Sequence, residues 1–76
     1  MEMYLDRLEL GLRAVVTQIK SPEPLRCRLR DFGMVPGTEL RVRYRSPDGG
    51  VTALELRGTV IALRTCELKK IRVRLL

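Results

Sequence analysis

The stretch PLRCRLRDFGMVPG, Pro24 to Gly37, decides how this chain folds. Leu25, Cys27 and Leu29 alternate with Arg26, Arg28 and Arg30, which is the pattern of a strand with one apolar face. Leu25, Leu29 and Phe32 also stand at i, i+4 and i+7, which is the pattern of a helix. The strand reading brings Asp31 onto the apolar face and throws Phe32 into solvent. The helix reading gathers the three apolar residues within an arc of about 60°, at about 100° per residue. Leu and Arg are good helix formers, and the stretch from Leu25 to Phe32 has no β-branched member. Ser21 is a capping residue, and proline is tolerated in a first turn. Gly33 suits the left-handed position after a helix, where a Schellman turn brings Met34 back onto Leu29. A short helix over about 23–32 is expected, with Phe32 inward, Arg26 and Arg30 in water together, and Arg28 beside the apolar stripe.

The flanking sequence reads mainly as strands. Met1 to Glu9 reads as a turn or irregular lead-in, and Gly11 allows a bend. Leu12 to Ile19 is rich in β-branched residues and apolar on both faces, so a well-buried strand is expected. Pro36-Gly37 is a turn pair. Thr38 to Arg45 alternates cleanly, with Leu40, Val42 and Tyr44 inward and Arg41, Arg43 and Arg45 outward. Ser46 to Gly50 makes a hairpin loop, and Val51 to Arg57 returns with Leu54 and Leu56 as its core pair. Gly58 permits a kink or bulge before a strand over Thr59 to Leu63. Thr65 to Lys70 reads as one helical turn capped by Thr65, and Ile71 to Leu76 closes the fold. Five short antiparallel strands with frequent turns indicate a small, partly closed barrel in one domain over 1–76.

The chain has 76 residues and a net charge of +6, from 15 Lys and Arg against nine acids. Such a charge fits a polyanionic or acidic partner, although its positions are spread along the chain. The opening MEMYLDRLEL has no apolar run, so a secretory leader is not expected, and no stretch is apolar for about 18 residues. A cytoplasmic chain with Cys27 and Cys66 reduced is the expectation. Catalysis is not expected: there is no His, no nucleophile with an evident base, and no phosphate loop. The DFG triplet at 31–33 stands without any other kinase element, and its glycine reads as a helix stop. A basic nucleic-acid-binding barrel is the alternative from composition. One Phe, two Tyr and no Trp leave it without stacking platforms, and phosphate contacts alone fade at physiological salt.

The order Leu25, Arg28, Leu29, Gly33, Met34, Pro36, Gly37, Thr38, Leu40, Val42 resembles the FeoA family of small proteins of bacterial ferrous iron uptake. Leu5, Leu8 and Gly11 resemble the family's lead-in, and Gly58 to Arg64 with Cys66-Glu67-Leu68 resembles its later strand and turn, so the likeness runs over about 5–75. The resemblance implies an SH3-like barrel and a non-enzymatic accessory or regulatory role, docked on the cytosolic part of the FeoB GTPase-permease. It supplies no dependable iron ligand: no cofactor is expected, weak divalent-metal binding stays open, and an Fe(II)-responsive sensor is a further alternative. The residues expected to meet the partner are Arg26 and Arg30, through acidic groups, and Met34, Val35 and Pro36, as a small apolar contact. For Met34 a core role competes with that contact. Gly33 and Gly37 are expected to be structural turn residues. Sheet edges leave weak self-association open.

Overall fold

The computed structural model describes residues 1–76. The elements run β1 (Glu2–Tyr4), the 3-10 turn η1 (Leu5–Arg7), β2 (Arg13–Ile19), α1 (Leu25–Asp31), β3 (Glu39–Arg45), β4 (Val51–Leu56), β5 (Thr59–Arg64), the 3-10 turn η2 (Thr65–Lys70) and β6 (Ile71–Leu75). The strands form one antiparallel sheet in the order β1-β6-β2-β3-β4-β5. There are therefore six strands, not the expected five, and the sheet stays open because β1 and β5 are its two edges. The extra strand lies in the supposed lead-in: Met3 pairs with Val73 of β6, which pairs on its other side with Val16 of β2. Three residues are too few to show a period, and only pairing with the far end of the chain defines them as a strand.

The core is aliphatic. Leu40, Val42, Leu54, Leu56, Ile71 and Val73 face inward from the sheet, Leu5 and Leu68 come from the two 3-10 turns, and Leu8 follows directly after the first. Leu29 and Met34, both fully buried, close it from α1 and its exit. β2 is more one-sided than expected: Ala14 and Val16 are buried, Val15, Thr17 and Ile19 are partly covered, and Leu12 lies outside the strand and is exposed.

The deciding stretch is helical, and its stop is a full Schellman turn. Gly33 N–H donates to Arg30 C=O at 2.9 Å, Met34 N–H donates to Leu29 C=O at 2.9 Å, and Gly33 sits at φ +89°. The start is different. The N-cap is Pro24, after a cis Glu23–Pro24 bond, and no side chain caps the helix. Ser21 is buried and its hydroxyl has no partner, so it does not serve as the cap.

Two aromatic placements are corrected. Phe32 is 45% exposed, not inward. It is the C-cap of a seven-residue helix, and the turn at Gly33 returns Met34 to the core in its place. Tyr44 is 54% exposed because the β3–β4 register shifts between Val42 and Tyr44. The bulge inserts Arg43 and reverses the alternation beyond it. A third correction concerns Gly58. Arg57 (φ +51°) and Gly58 (φ +76°) form a two-residue hairpin turn between paired Leu56 and Thr59, with positive φ at both central positions as a type I′ turn requires.

Helix exit and core are thus one device, and the two side chains at its end should differ sharply in worth. Met34→Ala is expected to cost about 2–5 kcal/mol in urea unfolding, as for other buried large-to-small changes. Phe32→Ala should cost about 1 kcal/mol or less. Equal costs would show that Phe32 is a core residue after all.

Candidate functional site

The residues singled out from sequence lie on α1 and the turn that follows it. Arg26 and Arg30 are both exposed, one helical turn apart, with Cys27 between them. Glu23 at the helix start organises this face: its carboxylate accepts from Arg26 Nε at 2.9 Å and from the Cys27 thiol, while Arg30 donates to Cys27 Sγ at 3.1 Å. The Cys27 thiol first, and Arg26 second, hold the Glu23 carboxyl below its ordinary value of 4.5.

The turn after α1 is rigid. Thr38, almost fully buried, donates its hydroxyl to Gly33 C=O at 2.9 Å and accepts from Val35 N–H at 3.3 Å. Thr38 N–H donates to Val35 C=O at 3.0 Å and closes the Pro36-Gly37 turn, with Gly37 at φ +97°. Gly37 N–H then donates to Val16 C=O at 2.7 Å, which pins the turn to β2. Gly33 and Gly37 therefore do the structural work expected of them. Val35 is half-buried and Pro36 exposed at the turn tip. Met34 is fully buried and gives no surface to a partner. Phe32 is instead the exposed apolar residue between α1 and this turn. The signal for it was its place directly before the helix-stopping glycine, which makes it a cap and not a member of the helical stripe.

The positive charge is not uniform. On the sheet, Arg43 and Arg41 bind Glu55 at 2.6 and 3.4 Å, Arg13 binds Glu39 at 3.0 Å, and Arg72 binds Glu2 at 3.3 Å. Arg43, the stronger partner, holds the Glu55 carboxyl below its ordinary range. Arg41 and Arg43 of β3 are thus partly neutralised, and Arg45 donates to Asp6 C=O at 3.3 Å. Arg28, Arg30, Arg57 and Arg64 make no ion pair. They lie on α1 and at the two ends of β5. No three Cys, Asp or Glu side chains gather as a metal site, and no helix is long and apolar enough to cross a membrane.

A lowered carboxyl value contributes stability above the unfolded value and loses it as pH falls through the folded one. For Glu23 that loss is expected below pH 4.5. Cys27→Ala should move the Glu23 midpoint up toward 4.5, read by carboxyl NMR titration. An unmoved midpoint would remove the thiol as the main cause.

The chain matches the FeoA domain over residues 3–75. A Campylobacter jejuni protein whose name assigns it to Fe(2+) transport as protein A is 28% identical over 74 residues, 97% of this chain and 100% of the relative. The solution structure of FeoA from Chlorobium tepidum is 34% identical, covers 97% of this chain and 70% of that one, and superposes with a TM-score of 0.93. FeoA from Stenotrophomonas maltophilia, solved with zinc and described as an SH3 domain protein, is 33% identical over 93% of this chain and 88% of that one, with a TM-score of 0.80.

Proposed function

The chain belongs to the FeoA family, and on that premise we propose that it is a non-enzymatic accessory of ferrous iron uptake that docks on the cytosolic part of a FeoB-type GTPase-permease. The role in ferrous iron transport follows from the family match over nearly the whole chain. The docking surface is the outer face of α1 together with its exit. One observation carries it: α1 exposes Arg26 and Arg30, and the rigid turn at its exit leaves Phe32 and Pro36 exposed as well. An apolar contact rimmed by cations is the anatomy of a protein interface, where the apolar centre supplies affinity and the charges supply register and encounter rate. The partner surface that fits is acidic with a shallow apolar recess.

Nothing about the fold requires those side chains to be there. Phe32 contributes little to the core, and exposed pairs such as Arg26–Glu23 contribute about 0–1 kcal/mol to stability. Iron is the cargo of the transport system in this reading, and the chain itself holds no catalytic step. Zinc, present in the Stenotrophomonas relative, is the natural probe for weak divalent-metal binding here.

Arg26→Glu with Arg30→Glu is expected to abolish co-purification with the membrane GTPase while shifting the melting temperature by less than about 3 °C. Undiminished co-purification would remove α1 from the interface.

A further inference from the structure

The two sheet edges differ. β1 is three residues long, but β5 offers six, and four of those are exposed. The phase of its ladder is fixed at both ends. Leu56 faces Thr59 across the two-residue turn, and Thr65 N–H donates to Gly50 C=O at 2.9 Å. Hydrogen-bonded pairs recur at every second residue of an antiparallel ladder. Thr59, Ile61 and Leu63 therefore bond to β4, while Val60 and Ala62 turn their N–H and C=O groups away from the sheet. Arg64 N–H is already satisfied by the Glu67 carboxylate at 3.1 Å. Edge strands of native proteins usually carry a charge, a proline or a bulge along their length. β5 reads TVIAL before its terminal arginine, pairs without a bulge, and leaves Val60 58% exposed.

α1 lies beside this edge. At one end Arg57 packs over Gly33, its Cδ 3.0 Å from where a Cβ on that glycine would stand. At the other end Arg28 lines a groove with Ala62, Leu63, Arg64 and Glu67. The open edge thus has unpaired arginines at both ends, with Arg28 of α1 across the groove and one carboxylate, Glu67, held at the Arg64 end by the Arg64 N–H. We infer that this groove binds an extended acidic peptide segment of a partner protein, which adds as a strand to β5. Its backbone bonds to Val60 and Ala62, and its carboxylates meet Arg57 at one end and Arg28 and Arg64 at the other. Strand addition takes affinity from the main chain and specificity from flanking side chains, which suits a site with few side-chain features and a fixed charge pattern. A second copy of the chain fits worse: antiparallel pairing of two β5 edges brings Arg64 of each toward Arg57 of the other, between bodies each carrying +6. This site uses neither Arg26 nor Arg30, so it stands or falls independently of the α1 docking face.

The test is fluorescence anisotropy with a labelled peptide of Val-Thr-Val flanked by glutamate pairs, together with amide NMR of the protein. Binding is expected with new exchange protection at Val60 and Ala62. Arg28→Glu with Arg64→Glu should weaken it about tenfold or more. Ala62→Pro, which removes an outward N–H at an edge position where proline is tolerated, should also weaken it with β4–β5 amide protection retained, and the same peptide N-methylated at alternate residues should fail on the wild-type protein. Three results overturn the inference: no binding, equal binding by the N-methylated peptide, or amide shifts confined to Arg26 and Arg30. A dimer in sedimentation that Ala62→Pro dissociates would overturn it too, in favour of self-pairing.

Discussion

Gly33 is the constraint from which the rest of this molecule follows. At φ +89° it lets Met34 N–H reach Leu29 C=O, so the chain leaves α1 by folding back on the core. Both side chains of that contact are fully buried. A side chain at 33 would be strained by the backbone and would meet Arg57 as well. The turn therefore couples α1 to the β4–β5 hairpin as well as to the core beneath it. It also explains why Phe32 is free: the place it would fill is occupied by the residue two positions later.

Local signals were enough to read α1, its stop, β3, β4 and the η2 turn, although the N-cap of η2 is Arg64 and not the expected Thr65, whose hydroxyl pairs with that of Thr52 instead. Gly33-Met34 and Pro36-Gly37 specify backbone geometry by residue type alone, and both form as their chemistry requires. The failures share a cause of another kind. Phe32 and Tyr44 were assigned by extending a period one step past the point where the backbone breaks it, at a helix cap and at a bulge. β1 exists only through pairing with β6, some 70 residues away along the chain. Arg57, a non-glycine at positive φ, hid a hairpin that its neighbour Gly58 only hinted at. Of the site, Arg26, Arg30, Val35 and Pro36 were legible as exposed or half-exposed positions. The burial of Met34 and the exposure of Phe32 needed the three-dimensional path of the turn between them.

The charge follows a similar division. Arg41 and Arg43 sit across from Glu55, and Arg13 lies opposite Arg41 in β2 but reaches Glu39. These cross-strand pairs offset like charges that the sheet would otherwise bring together. Such pairing is a property of register and is invisible to a count of +6. Of the basic residues the acids leave unpaired, Arg28, Arg30, Arg57 and Arg64 lie on α1, the β4–β5 turn and the end of β5, while Lys20, Arg45, Lys69, Lys70 and Arg74 lie elsewhere, so part of a diffuse excess becomes a local field beside one helix.

That field bears on a problem every open sheet has. A six-residue edge without charge, proline or bulge along its middle is a template for any extended chain, including another copy of itself. Here the protection is electrostatic and placed at the ends: Arg57 and Arg64 bracket the strand, and Arg28 stands across the groove. Two such edges repel when they meet antiparallel, and the repulsion acts over about a Debye length of 8 Å at physiological salt. The same arrangement leaves the backbone groups of Val60 and Ala62 open to a strand of opposite charge. Cations at the two ends discriminate between a second copy and such a strand, and that selectivity is what distinguishes a binding edge from one that is only kept from aggregating.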